Sequence, residues 1–362
     1  MGFFSRNKKE EKNTPTPSSP KGFFELEVKE INKLTPDSVQ ISFKISEELK
    51  STFNFIPGQY LNLSAIVQGV EERRSYSICS GPDEDLAVAI KRINNGKFSN
   101  WANDTLKVGD YVKVAAPLGN FKLDDNSKNI VAFAAGSGIT PIISIAKKLA
   151  QTGGNLNLFY GNRSLNSVMF KSAFDALKNV SVRHFLSGEK IENFSEGRLD
   201  KDAISAIIKE DLSILKADGF YLCGPETMIK SAIDTLTLFG VPKSKIHYEL
   251  YTTPVLLIEE SAVETTNFEG ESKVKVLLDD EEFEIKLNSS GKTILDAINK
   301  EGYDAPYSCR GGVCCTCKAK VLKGKVTMNL NYSLTDEEVA EGYILTCQAH
   351  PASEEVTISY DA

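Results

Sequence analysis

The chain has 362 residues, 41% hydrophobic and 25% charged, a make-up that fits two or three globular units and excludes wholesale disorder. Its 42 Lys and Arg against 49 Asp and Glu leave a net charge of −7, without the basic excess of a general nucleic-acid binder. No stretch offers the roughly 20 apolar residues of a membrane span, because the most apolar one, 130–149, is broken by Gly136, Gly138 and Pro141. The N-terminus also lacks the apolar run of a secretory signal, so the expected location is the cytoplasm.

Residues 1–22 combine Lys8-Lys9-Glu10-Glu11-Lys12 with a Pro- and Ser-rich run, and they read as a disordered leader. From 23 to 125 the period is two. Segments 24–31, 39–45, 60–67, 74–79, 86–93 and 111–115 alternate apolar and polar residues between Pro-Gly, Gly-Pro and Asn-Asn-Gly breaks. Short strands at this spacing predict a small antiparallel barrel. At 129 the rhythm changes, and Ile130-Val131-Ala132-Phe133-Ala134 reads as a strand covered on both faces. A helical pattern at 141–150 follows. Strands at 156–160, 180–186, 219–223 and 246–251 then alternate with helices at 167–178, 202–209 and 225–239. Through 126–252 this predicts an α/β unit with a parallel sheet. Residues 253–272 hold five Glu and no basic residue, an acidic linker. The last unit, 273–362, opens with strands at 274–278 and 282–287 and a helix at 293–300.

The strongest motif lies in that unit. Four of the seven cysteines fall within 309–317, and Cys309, Cys314, Cys317 and Cys347 have the spacing C-x4-C-x2-C…C. That is the pattern of a plant-type [2Fe-2S] cluster, with Gly311 and Gly312 letting the loop wrap around the sulfurs. Zinc is the rival metal, although it favours paired C-x2–4-C knuckles. Cys315 is not needed for the spacing and reads as a packed bystander.

Three further motifs point to nucleotide cofactors. Arg74-Ser75-Tyr76-Ser77 on a barrel strand offers a cation, an aromatic face and a hydroxyl, as a flavin requires; Tyr60 precedes it in Pro57-Gly58-Gln59-Tyr60. Gly96-Lys97-Phe98-Ser99 opens a short helix whose N-terminus suits phosphate oxygens. Gly136-Ser137-Gly138-Ile139-Thr140-Pro141 joins the first parallel strand to its helix, and Cys223-Gly224-Pro225 ends a later strand of the same sheet. Carboxyl ends of parallel strands are where ligands bind in such sheets. Taken alone, each of these is equally a surface strand or a tight turn.

In this order the motifs resemble the ferredoxin–NADP reductase superfamily with a C-terminal plant-type ferredoxin. The resemblance implies an FAD-binding barrel, an NAD(P)H-binding sheet and a β-grasp iron–sulfur domain. It assigns Tyr60, Arg74, Ser75, Tyr76, Ser77, Gly96 and Ser99 to FAD. Gly136 to Pro141 and Cys223-Gly224-Pro225 fall to the nicotinamide nucleotide. Ser77, Cys223 and Glu249, the last in His247-Tyr248-Glu249-Leu250-Tyr251, fall beside the reacting rings. Phthalate-dioxygenase-type reductases share the domain order and use FMN, the alternative flavin. Arg73 to Ser80, Phe98 to Trp101 and Leu345 to Pro351 look most like the reductase subunits of phenylacetyl-CoA epoxidases. The expected acceptor is therefore an epoxidase or other oxygenase component; a ring or steroid hydroxylase, a desaturase or a non-enzymatic iron–sulfur carrier are alternatives. In Gly161-Asn162-Arg163-Ser164, Arg163 and Ser164 are expected to hold a 2′-phosphate, favouring NADPH over NADH. The acidic last unit should dock on a basic patch of its acceptor.

Overall fold

The computed structural model describes residues 22–255 and 268–362. All but the last residue of the expected leader, and most of the acidic linker, 256–267, lie outside the described residues. The alternation in the first hundred residues becomes six antiparallel strands. They are β1 (Phe23–Thr35), β2 (Ser38–Lys44), β3 (Tyr60–Val67), β4 (Val70–Ser77), β5 (Ala87–Lys91) and β6 (Tyr111–Ala115). Their order is β4-β3-β6-β1-β2-β5, and a bridge from Ile78, just past the end of β4, to Val88 in β5 curls the sheet into a barrel. Leu26, Val28, Ile41, Phe43, Leu61, Leu63, Val88 and Val114 fill it. Helix α1 (Lys97–Asp104) adds Phe98 and Ala102 to this core. β4 starts four residues before the expected point. Gln68 and Gly69 both take positive φ, 53° and 80°, and so make a two-residue turn whose twist matches the strands it joins.

The second unit runs β7 (Asn129–Ala135), α2 (Ile139–Thr152), β8 (Asn155–Asn162), α3 (Lys171–Asp175), β9 (Val180–Leu186), β10 (Ser195–Glu196), α4 (Lys201–Glu210), β11 (Gly219–Cys223), α5 (Glu226–Leu238) and β12 (Ile246–Glu249). All six strands are parallel, in the order β10-β9-β8-β7-β11-β12. Ile130, Ala132 and Ala134 pack under α2, while Val131 and Phe133 face α4 and α5, which is why the β7 run is apolar throughout. The chain walks outward from β7 and returns to β11 on its other side, leaving a crevice at the carboxyl ends of those two strands.

The helix expected at 167–178 is mostly absent. A 3-10 turn covers Leu165–Ser167, Val168 is extended and Phe170 has φ +60°, so α3 keeps five residues. Val168, Met169 and Phe170 are all buried in the core, and their burial overrides the helical pattern. The strand expected at 246–251 stops at Glu249.

The third unit holds β13 (Glu271–Leu278), β14 (Glu281–Asn288), α6 (Ile294–Lys300), β15 (Lys318–Lys323), β16 (Val326–Met328), α7 (Asp336–Ala340), β17 (Tyr343–Leu345), β18 (Ala349–Pro351) and β19 (Glu355–Ser359). β13 begins inside the span expected as linker. The main sheet is mixed, β14-β13-β19-β15-β17, with β16 and β18 paired apart. Thr293 caps α6 by accepting the Asp296 N–H, and Ile294, Leu295 and Ile298 bury its inner side. This unit sits on the outer face of the β3–β4 hairpin. In register there, Tyr60, Asn62 and Ser64 stand opposite Ser77, Ser75 and Arg73, a polar strip that the iron–sulfur unit covers.

Candidate active site and metal centre

The cysteine loop brings the four expected sulfurs together. Arg310 and Gly312 take positive φ, 55° and 73°, which folds the loop back on itself. Cys314 Sγ lies 3.0 Å from Cys309 Sγ, Gly311 N–H donates to Cys309 Sγ at 3.3 Å, and the Cys347 thiol bonds to both Cys309 and Cys317. Cys314, Cys317 and Cys347 are buried. For Cys347, the bond with Cys309 lowers the pKa, but the Cys317 neighbour and burial outweigh it and leave the thiol at about 12. Four crowded sulfurs, whose burial and mutual contacts oppose ionisation, fit a thiolate-bound iron centre, whose positive charge would relieve that cost. Cys315 points elsewhere, donating to the Ser333 carbonyl at 3.2 Å. The three histidines lie outside this donor set: His184 packs at a tilt against Tyr160, His247 stacks on Tyr221, and His350 meets Asn329.

Beside the cluster loop, residues from two units meet. Ser77 at the end of β4 donates to Glu249 Oε2 at 2.9 Å and shares a 3.0 Å bond with the Tyr251 hydroxyl, which reaches Thr140 Oγ1 at 3.0 Å. Glu249 pairs in register with Cys223, the last residue of β11. Burial pushes the Glu249 carboxyl up to about 8. The fully buried Cys223 thiol is held well above its ordinary range by burial and then by Glu249. Tyr60, Ser75, Ser77, Glu249, Cys309 and Cys314 line a cavity of about 60 Å³, closed further by Tyr251. That holds about two waters. The exposed Tyr251 ring forms one wall of this cavity, where hydroxyls and a carboxyl converge.

The residues expected to hold the flavin fall on two sides of β4. Ser75 and Ser77 face the iron–sulfur and nucleotide units. Tyr76 instead packs on Phe98 of α1 at 5.6 Å, and Arg74 is exposed, paired with Glu72 at 2.8 Å. Gly96 precedes α1, and Ser99 turns its hydroxyl back to the Ile93 N–H and the Gly96 carbonyl.

At the parallel sheet, Gly136 to Gly138 form a 3-10 turn at the mouth of the crevice, with Ile139, Thr140 and Pro141 opening α2. Gly138 admits no side chain, since a Cβ would lie 2.1 Å from the Cys223 carbonyl oxygen. Ser137 accepts the Thr140 hydroxyl at its carbonyl. An opening of about 590 Å³ runs past Gly136, Asn162, Arg163, Arg198 and Pro225. Both amide atoms of the buried Asn162 lack a partner there, while the nearby Tyr160 hydroxyl goes to the Gly136 carbonyl. Arg163 lines the opening, but Ser164 does not. Ser164 caps the turn Leu165–Ser167, with its N–H on Ser167 Oγ at 3.1 Å.

Sequence reasoning missed Arg198, Tyr251 as a bridging group, and the contacts across the β3–β4 strip. Arg73 binds Asp304, Asn62 binds Thr316, and Ser75 meets Ser308 at 2.8 Å. The buried polar alternation on β3 was a signal for a covered face, but nothing local named its cover.

Three family models match the chain. They are an oxidoreductase FAD-binding domain over residues 25–123, an oxidoreductase NAD-binding domain over 133–234 and a 2Fe-2S iron-sulfur cluster binding domain over 276–352. A subunit of the 1,2-phenylacetyl-CoA epoxidase from Escherichia coli (strain K12) is 37% identical over 353 residues, covering 94% of this chain and 98% of its own. The ferredoxin reductase component of 3-ketosteroid-9-alpha-monooxygenase from Mycobacterium tuberculosis is 32% identical over 351 residues, 93% of this chain and 96% of that one. Among solved structures, phthalate dioxygenase reductase is 22% identical with a TM-score of 0.56, over 93% of this chain and 98% of its own; this likeness is one of fold. With all three units matched in order and a relative aligned nearly end to end, the chain belongs to the ferredoxin–NADP reductase superfamily, in the branch that carries a plant-type [2Fe-2S] ferredoxin domain at its C-terminal end.

Proposed function

We propose that this protein takes electrons from NADPH and passes them through FAD and a [2Fe-2S] cluster to the oxygenase component of a phenylacetyl-CoA epoxidase, in the cytoplasm. The observation that carries this reading is the convergence of Ser77, Thr140, Cys223 and Glu249, drawn from barrel and nucleotide sheet, beside Cys314 of the cysteine loop. A bound flavin accepts an electron pair as hydride and releases electrons singly, and a [2Fe-2S] centre carries one at a time.

The chain's own groups arrange that transfer. The Gly136–Gly138 turn and Cys223-Gly224-Pro225 form the two lips of the crevice, and their close approach leaves backbone N–H groups for a pyrophosphate. Arg163 and Arg198 supply positive charge where the crevice widens, and Arg163, with Arg198 rather than Ser164, is the basis for preferring NADPH. Glu249 keeps its proton to about pH 8 and holds it beside Ser77. Tyr251 closes the site between Ser77 and Thr140. Cys309, Cys314, Cys317 and Cys347 hold the iron centre, and Arg74 with the start of α1 takes the flavin phosphates.

The epoxidase client is favoured over a steroid hydroxylase by the higher identity of the epoxidase relative, 37% against 32%. Anaerobic titration of the purified protein with NADPH and then NADH, followed by visible spectra and EPR, tests the reading. Flavin bleaching followed by a one-electron iron–sulfur signal is expected. An unbleached flavin, or stoichiometric zinc, would sink it.

A further inference from the structure

Thr316 sits between cluster ligands Cys314 and Cys317 and is buried against the barrel. Its hydroxyl has four neighbours. Asn62 Nδ2 lies 3.0 Å away, the Tyr60 hydroxyl 3.5 Å, Cys314 Sγ 3.3 Å and Asn62 Oδ1 3.3 Å. A threonine hydroxyl has one hydrogen and two acceptor lone pairs. Asn62 Nδ2 can only donate, so it takes one lone pair. The Tyr60 oxygen accepts the Cys315 N–H at 3.1 Å, and its own hydrogen is free to be donated to Thr316. Asn62 Oδ1 already receives the Ser75 hydroxyl at 2.7 Å. These two donors from barrel strand β3 match the two lone pairs of Thr316, and its single hydrogen has two acceptors at 3.3 Å, the Cys314 sulfur and the Asn62 Oδ1 already engaged by Ser75.

We propose that Asn62 and Tyr60 position the Thr316 hydroxyl as a hydrogen-bond donor to the Cys314 sulfur, so that the flavin-bearing barrel sets the reduction potential of the iron–sulfur centre. The inference rests on Cys314 being a cluster ligand. Reduction adds one electron to the cluster, and the added charge spreads onto its sulfurs. A donor aimed at a sulfur stabilises the reduced form more than the oxidised one and raises the potential. Asn62 is fully buried, so its amide has no water to turn to. The donor orientation therefore depends on the iron–sulfur unit being seated on β3. Asn62 and Tyr60 are positioning residues, acting on the cluster through Thr316.

The test is an EPR-monitored redox titration of the full-length protein loaded with FAD and cluster. Thr316→Val, nearly the same shape without the hydrogen, shifts the midpoint to more negative potential, and Thr316→Ser restores it. Asn62→Leu shifts it the same way although it touches no cluster ligand. The double variant Asn62→Leu/Thr316→Val falls no further than Thr316→Val alone, because both act through one hydrogen bond. A solvent-exchangeable proton coupled to the reduced cluster, visible by ENDOR, disappears in Thr316→Val. A wild-type midpoint in cluster-loaded Thr316→Val overturns the proposal, as does one in loaded Asn62→Leu. If Asn62→Leu fails to load, Tyr60→Phe replaces it: a smaller negative shift supports the proposal and an unchanged midpoint overturns it. Loss of the ligand assignment is separately visible, as an unaltered cluster spectrum in Cys314→Ser.

Discussion

Arg73 on β4 and Asp304, five residues before Cys309, meet at 2.8 Å across the boundary between barrel and iron–sulfur unit. The guanidinium is almost wholly buried, whereas Asp304 is half exposed; Glu71 holds the same guanidinium at 3.0 Å, and the Tyr307 ring lies 4.8 Å beneath it. The two ends of this bond are therefore unequal. Asp304→Asn leaves Arg73 with Glu71 and Tyr307 and should cost no more than about 1 kcal/mol, as for other exposed partners. Arg73→Ala strands two carboxylates and empties the stack, with a loss of roughly 2–3 kcal/mol. Denaturant unfolding measures both, and stopped-flow absorbance should show slower cluster reduction in Arg73→Ala. Equal stability losses in the two variants would mean that the Asp304 pair carries the contact and that Glu71 and Tyr307 add nothing to it.

Serine at Cys309, Cys314, Cys317 or Cys347 should impair the iron centre while barrel and nucleotide sheet still fold. Such variants keep FAD, NADPH still bleaches it, and ferricyanide reduction survives, whereas cytochrome c reduction falls steeply. Cys315→Ser should retain the cluster, since its sulfur is spent on the Ser333 carbonyl. Iron and acid-labile sulfide counts decide the matter; a cluster lost from Cys315→Ser would move the ligand register.

Arg163→Ala and Arg198→Ala should each lower kcat/KM for NADPH while leaving NADH nearly untouched. A charge-assisted hydrogen bond to phosphate contributes about 1.5–3 kcal/mol, or roughly tenfold to a hundredfold per arginine. Ser164→Ala should do less to nucleotide choice, because Ser164 caps a turn. Parallel losses for both nucleotides would remove the arginines from discrimination.

His184 lies between the Tyr160 and Phe194 rings, with Nδ1 buried and unpartnered. Burial, then the Lys171 charge, holds its pKa below the usual 6.5. The unfolded chain therefore takes up a proton at higher pH than the folded one. Stability from this site is complete above about 6.5 and drains as the pH falls through the folded value. His184→Phe should lose less melting temperature than wild type between pH 7 and pH 5.5. A parallel fall in both proteins would place the acid sensitivity elsewhere.

How much of this was legible depended on sequence distance. The candidate cluster cysteines could be picked out because three of them fall within nine residues and their spacing has few other uses. The barrel and parallel sheet followed from periodicity, since burial of one face or two imprints itself locally. The start of β4 escaped, because the positive φ of Gln68 has no strong residue signal. The short α3 escaped because its preceding residues answer to a core assembled from distant strands. Asn62 and Thr316 are 254 positions apart, and neither carries a motif; only folding brings the amide to the hydroxyl.

The β3–β4 hairpin has a consequence of parity. Side chains on β4 alternate, with Arg73, Ser75 and Ser77 toward the iron–sulfur and nucleotide units and Arg74 and Tyr76 on the other side. Removing one residue between Gly69 and Arg73 would exchange those two sets, turning an aromatic ring toward Glu249 and the serines toward α1; removing two would restore them. The pairing of the three units is thus written in an odd–even count. Side chains along this strand can drift as acceptors change, but its length can change only in steps of two.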